Sequence, residues 1–262
     1  MNRWIIQKKF TRTPKLNKPM LIEGLPGIGS VGKIAIDFII DKVKPSLLYK
    51  IYSHEFPHSV YLTEDNFVEL PSVELYYFKN KKGRDLLILG GDAQPIEEKA
   101  SYEFSETILN LIEEFGCSEV LTLGGIGLTH EVKDARIFGA VTNKNALHIF
   151  KKMTKNVEFK SNTRVEAIFG ASGLLLGLAN LRGKKGMALL AETYIHPQHL
   201  GFKEAKVMLL ELDYMLNLNL DFSEFDKDLE QLEKATYIPS TKKITKKIKK
   251  VPEQPEDLGY IS

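Results

Sequence analysis

The stretch Gly24-Leu-Pro-Gly-Ile-Gly-Ser-Val-Gly-Lys33 follows the apolar run Met20-Leu21-Ile22. Met20–Glu23 reads as a short buried strand. Ser30–Val43 carries Val31, Ile34, Ala35, Phe38 and Ile39 at three- and four-residue spacing, the pattern of an amphipathic helix. Pro45 helps to stop it. Strand, glycine turn and helix in this order bring free backbone N–H groups and the positive end of a helix dipole to one spot. That arrangement suits an anion.

Two nucleotide signatures overlap on the turn. Gly27, Gly29 and Gly32 match G-x-G-x-x-G. Gly27 to Lys33 match the first seven positions of G-x-x-x-x-G-K-[ST], but Ile34 stands where the Mg²⁺-holding hydroxyl belongs. The dinucleotide pattern also wants an acid about 20 residues on. Glu55 comes 28 residues after Gly27, beside a Pro-containing turn, and Pro26 fits neither signature. The same glycines are what a tight turn needs with no ligand at all.

Outward from this unit, strands and helices alternate. Leu47–Tyr52 and Ser59–Leu62 read as strands. Val73–Phe78 and Asp85–Leu89 flank Lys79–Gly83 as a hairpin. Glu97–Phe115 reads as a helix, and Glu119–Leu123 as a strand running into a second glycine turn, Gly124-Gly-Ile-Gly127. Ile137–Thr142 is a strand and Asn145–Met153 a short helix. A third glycine turn, Gly170-Ala-Ser-Gly173, opens a helix through Leu181. Met187–Thr193 is a strand, and Phe202–Leu218 and Phe222–Thr236 are helices. This order predicts an α/β fold: a three-layer mixed sheet flanked by helices, phosphorylase- or hydrolase-like, with a C-terminal helical addition. The expected organisation is a basic segment at 1–18, a core at 19–201, helices at 202–237 and a Pro-containing basic tail at 238–262.

The totals narrow the function classes. An apolar share of 43% over 262 residues supports a sizeable core. No apolar run reaches the ~18–20 residues of a membrane span, and the N-terminal patch is too short for a signal-peptide core. A cytoplasmic protein without a membrane partner is the expectation. Cys117 is the single cysteine, which excludes an internal disulfide and a Cys-rich metal site. The net charge of +2 is unevenly spread. Residues 1–18 carry six basic groups and 241–250 six lysines, both without acids, while 251–262 carry three acids; residues 19–240 therefore stand at −7. An acidic body argues against a nucleic-acid groove, and no aromatic is interleaved in Lys242–Lys250 to stack on bases.

Three glycine turns, at 24–33, 124–127 and 170–173, can meet at one sheet edge and form a ligand crevice. Gly27, Gly29, Gly32, Gly124, Gly125, Gly127 and Gly173 are the candidate anion- or ligand-binding positions. A phosphorylase-like enzyme would grip phosphate there with arginines, and Arg136, Arg164 and Arg182 stand near the second and third turns in sequence. Such a phosphate- or nucleotide-binding enzyme is the alternative reading. No catalytic constellation completes it. Pro197 interrupts the alignment of His196 and His199 for metal, the pair His130-Glu131 has no nucleophile, and Cys117 reads as a small buried apolar residue. No metal site and no cofactor is assigned.

Four blocks, "GLPGIGSVGKIAIDFII" at 24–40, "SHEFPHSV" at 53–60, "LTLGGIGL" at 121–128 and "IFGASGLLLGLANLRGKKGMALLAET" at 168–193, resemble the proteasome assembly chaperone family. The resemblance runs across most of residues 20–215. It implies a phosphorylase-like α/β domain used as a protein-binding scaffold, of a kind often labelled as related to ATP-grasp enzymes. It further implies a homo- or hetero-oligomer, partnering itself, a paralogous chaperone subunit or 20S proteasome α-subunits. Some relatives dock on the α-ring through a C-terminal hydrophobic–Tyr–any tripeptide. Here the corresponding tail residues are Tyr260, Ile261 and Ser262, with Tyr one position earlier than in that motif.

Overall fold

The computed structural model describes residues 3–63, 65–159, 166–196 and 198–235. Among them, eleven strands and six α-helices form an α/β fold built on one large mixed sheet. Its centre is four parallel strands: β7 (Leu86–Gly91), β2 (Met20–Glu23), β8 (Glu119–Leu128) and β11 (Lys185–Tyr194), adjacent in that order. Outside β7 come β6 (Val73–Phe78), β3 (Ser46–Ser53) and β1 (Trp4–Lys8), each antiparallel to its neighbour. Outside β11 come β9 (Ile137–Val141), antiparallel, and β10 (Val157–Glu158).

The central strands are apolar on both faces because both faces are covered. In β2, Leu21 points into one core and Met20 and Ile22 into the other. In β7, Leu87 and Leu89 oppose Leu86 and Ile88 in the same way. The first core packs under α2 (Glu98–Glu113) and α4 (Gly170–Leu181), around the fully buried Phe104, Ile108 and Leu175. The second lies under α1 (Val31–Val43), α3 (Lys144–Met153) and α5 (Phe202–Leu216), around Ile36, Ile39, Phe150 and Met208. Helix α6 (Ser223–Ala235) extends this second core. Phe38 of α1 stacks on Phe222 at 5.7 Å and meets the edge of Phe225 at 5.1 Å.

Several stretches differ from the sequence reading. Trp4–Lys8, in the segment read only as basic, pairs with β3, and Trp4 packs against Phe56 and Phe104. Residues 124–127 are not a turn, because β8 runs through them to Leu128. Of the expected strand Ser59–Leu62, only β4 (Tyr61–Leu62) forms. It pairs with β5 (Val68–Glu69) as an arm apart from the main sheet.

Helix α3 owes its sharp start to Asn143, whose side-chain oxygen accepts from the Ala146 N–H at 2.9 Å. Asn143→Ala is expected to cost about 1 kcal/mol. Urea denaturation with an unchanged m-value checks it.

Candidate functional site

Strands β2 and β7 are parallel neighbours, but their helices leave to opposite faces: α1 to the second core, α2 to the first. Their carboxyl ends therefore form a topological switch point, the place where open α/β sheets hold ligands. The opening glycine stretch starts there.

What stands at this point is Glu23, the last residue of β2, with no exposed surface. Its Oε1 accepts from the Leu25 N–H at 3.0 Å and from Ser172 Oγ at 3.3 Å. Its Oε2 has no hydrogen-bond partner among the described residues. Burial dominates the two hydrogen bonds and pushes the carboxyl up to about 7. Gln94, in the segment after β7, ties the edge together. Its Nε2 donates to the Pro26 carbonyl at 2.7 Å, and its Oε1 accepts from the Ala171 N–H at 3.0 Å. The first and third glycine segments thus converge, as expected for one sheet edge. Gln94 and Glu23, which join them, were not singled out from the sequence. The signal for Glu23 was an acid closing a wholly apolar strand just before a glycine.

The second segment converges too, by packing. A Cβ on Gly125 would lie 2.6 Å from the Ile28 carbonyl oxygen, and one on Gly32 would lie 2.5 Å from that of Leu123. The loop lies so close on β8 that side chains there have no room. Gly29 takes a φ of +61°, open to glycine at little cost, and its carbonyl accepts from the Gly201 N–H at 2.8 Å. Gly124 and Gly127 approach Leu190 and Ile195, and Gly173 the Ile168 carbonyl. Gly27 is the exception, with nothing nearer than 4.0 Å to a Cβ.

The charged candidates turn elsewhere. Lys33, 3% exposed, donates from Nζ to Asp37 Oδ2 at 2.8 Å and to the Gly91 carbonyl at 3.1 Å, so it anchors α1 to the end of β7. Arg136 pairs with Glu192, Nε to Oε2 at 3.0 Å. Arg182 pairs with Glu106 and Glu113. Arg164 and the tail residues Tyr260, Ile261 and Ser262 lie outside the described residues. His199 meets Glu204 Oε1 at 3.0 Å, and Thr193 Oγ1 donates to the same oxygen at 3.1 Å. Cys117 is buried, and burial pushes its thiol up to about 11, away from nucleophilic use. Among the described residues no group of three or more His, Cys, Asp or Glu is placed to hold a metal ion. No described helix is long and apolar enough to cross a membrane.

The PAC2 family model matches residues 21–237, from the middle of β2 past α6. The chain belongs to the PAC2 family. An uncharacterised protein of Methanocaldococcus jannaschii is 29% identical over 98% of this PAC2 chain and 97% of its own length. The crystal structure of Pyrococcus furiosus PbaB, an archaeal proteasome activator, is 32% identical with a TM-score of 0.82, over 90% of this chain and 98% of PbaB. P. furiosus PbaA, an archaeal homologue of proteasome-assembly chaperone, is similar in fold at 22% identity and a TM-score of 0.67, covering 88% of this chain and 93% of PbaA. The fold and the family resemblance expected from the four blocks both hold.

Proposed function

We propose that this PAC2-family chain is a non-enzymatic, self-associating scaffold that assists proteasome assembly or docks on the 20S α-ring. The likeness to the archaeal proteasome activator, over 98% of that protein, carries this reading. The surface supports self-association. The β4–β5 arm and its flanks leave Leu62 72%, Phe67 69% and Val68 67% exposed, with Leu70 and Val60 beside them in sequence. An isolated two-stranded hairpin gains little stability alone, and contiguous apolar exposure of this kind marks protein contacts. The partners are a second copy, a paralogous chaperone subunit or 20S α-subunits, with Tyr260, Ile261 and Ser262 as the docking tail. The setting is cytoplasmic.

Purified 20S α-subunits passed over the immobilised full chain test the docking. Retention at low and moderate salt is expected, with at least tenfold weaker binding for Tyr260→Ala. No retention by the full chain at either salt overturns the proteasome part. Retention unchanged by Tyr260→Ala removes the tail from it.

A further inference from the structure

Beside the glycine edge, with which it shares Lys33 and the carboxyl end of β7, α1, α6, the start of α5 and part of β6 line a cavity of about 560 Å³. That is the size of a typical binding site. Its floor is apolar, made by Ile34, Phe38, Phe202 and Phe225. Its wall carries six carboxylates against three lysines, and Lys50, 3.0 Å from Glu74, brings the net charge to −2. The lysines are engaged: Lys33 with Asp37, Lys42 with Glu224 at 2.6 Å, Lys44 with Asp41 at 2.6 Å. Asp92 and Asp228 form no ion pair among the described residues. Three of the carboxylates bear on one point, the Tyr76 hydroxyl. After burial, Glu74 bonded to it and then Asp37 and Asp92 hold its proton well above the usual tyrosine range. An apolar floor under an acidic rim fits a segment that offers ammonium groups on methylene stems.

We propose that this cavity is the docking site for the chain's own lysine run, residues 242–250, held in cis. The run lies outside the described residues. Its six lysines and no acid complement the rim, and Ile244 and Ile248 match the floor. Reach allows it. Helix α6 itself supplies Glu224, Phe225 and Asp228 to the wall, and Asp228 is seven residues before its end at Ala235, about 10 Å along the helix. Lys242 follows seven residues later, a span of up to about 24 Å when extended. A tethered segment also meets its site at an effective concentration that a free basic peptide seldom matches. A docked run would hold Tyr260–Ser262 near the body and compete with its presentation to a partner. Only this consequence rests on the docking proposed above.

Zero-length carbodiimide coupling of the full chain at low salt, read by mass spectrometry, needs no proteasome. Links from Lys242–Lys250 to Asp37, Glu74, Asp92 and Asp228 are expected at least fivefold above links to exposed carboxylates of α2 such as Glu98. They should fall at least fivefold at 0.5 M salt. Links spread according to exposure overturn the proposal. A co-expressed pair separates cis from trans: one chain has all six lysines of the run changed to Gln, the other has Asp92→Asn and Asp228→Asn. Any link from the run to Asp92 or Asp228 in that pair joins two chains, and its appearance at the wild-type level overturns docking in cis. Its absence supports it.

Discussion

Glu23→Gln is expected to flatten the dependence of stability on pH. The carboxyl is fully buried and sits near 7 in the folded protein, against 4.5 for an ordinary Glu. Below about pH 4.5 it is protonated in both the folded and the unfolded chain and contributes no pH dependence. Between there and 7, the folded protein keeps a proton that the unfolded chain has released, so stability falls as pH rises. Above 7 the full cost of a buried carboxylate is in place. At 1.36 kcal/mol per pH unit, the loss is about 3 kcal/mol. A Gln amide keeps the oxygen that accepts from Leu25 and Ser172 but cannot ionise. Its own burial cost is the same at every pH and cancels in the comparison. The stability difference between variant and wild type should therefore shift by about 3 kcal/mol in favour of the variant from pH 4.5 to pH 8. Denaturant titrations at both pH values measure it, and parallel pH profiles would refute the assignment.

Lys33→Ala carries the second large expected effect. In the nucleotide reading this lysine would meet phosphate. In the structure it pairs with Asp37 one turn further along α1 and reaches across to the Gly91 carbonyl that ends β7. Breaking a buried pair from one side commonly costs 3–5 kcal/mol, because the remaining groups are left in low dielectric. Asp37 is 30% exposed at its side chain, and solvent screens part of that cost. About 2–3 kcal/mol is the expected loss with no ligand present. Lys33→Met keeps the stem packed and should recover part of it. Thermal and denaturant unfolding of both variants decide the matter. An alanine variant as stable as the wild type would mean that the lysine holds nothing in the free protein.

The central elements were legible because their signals are local. Met20–Glu23, Ser30–Val43 and the hairpin around Lys79–Gly83 announce themselves by apolar runs, helical spacing and a glycine turn. Strand β1 was not, since Trp4–Lys8 has no alternation and gains its place from pairing with a strand some 45 residues on. Gly124–Gly127 misled for a related reason. Glycines usually punctuate, but here they lie within a strand on which the loop at Ile28 rests. The cluster around Glu23 was out of reach because Ser172 stands 149 residues away in sequence, and Gln94, which ties together two of the glycine turns, belongs to no motif. The tail, where the proposed docking residues fall, lies beyond the described residues.

Gln94 gives the switch point a further property. Its amide offers Pro26 a donor and Ala171 an acceptor, the two polar functions that a bound amide or base edge would bring. A small molecule that takes these two backbone groups must first displace this side chain and then restore both bonds, an exchange with almost no net gain. The edge acts as a lock whose key was cast in the same piece.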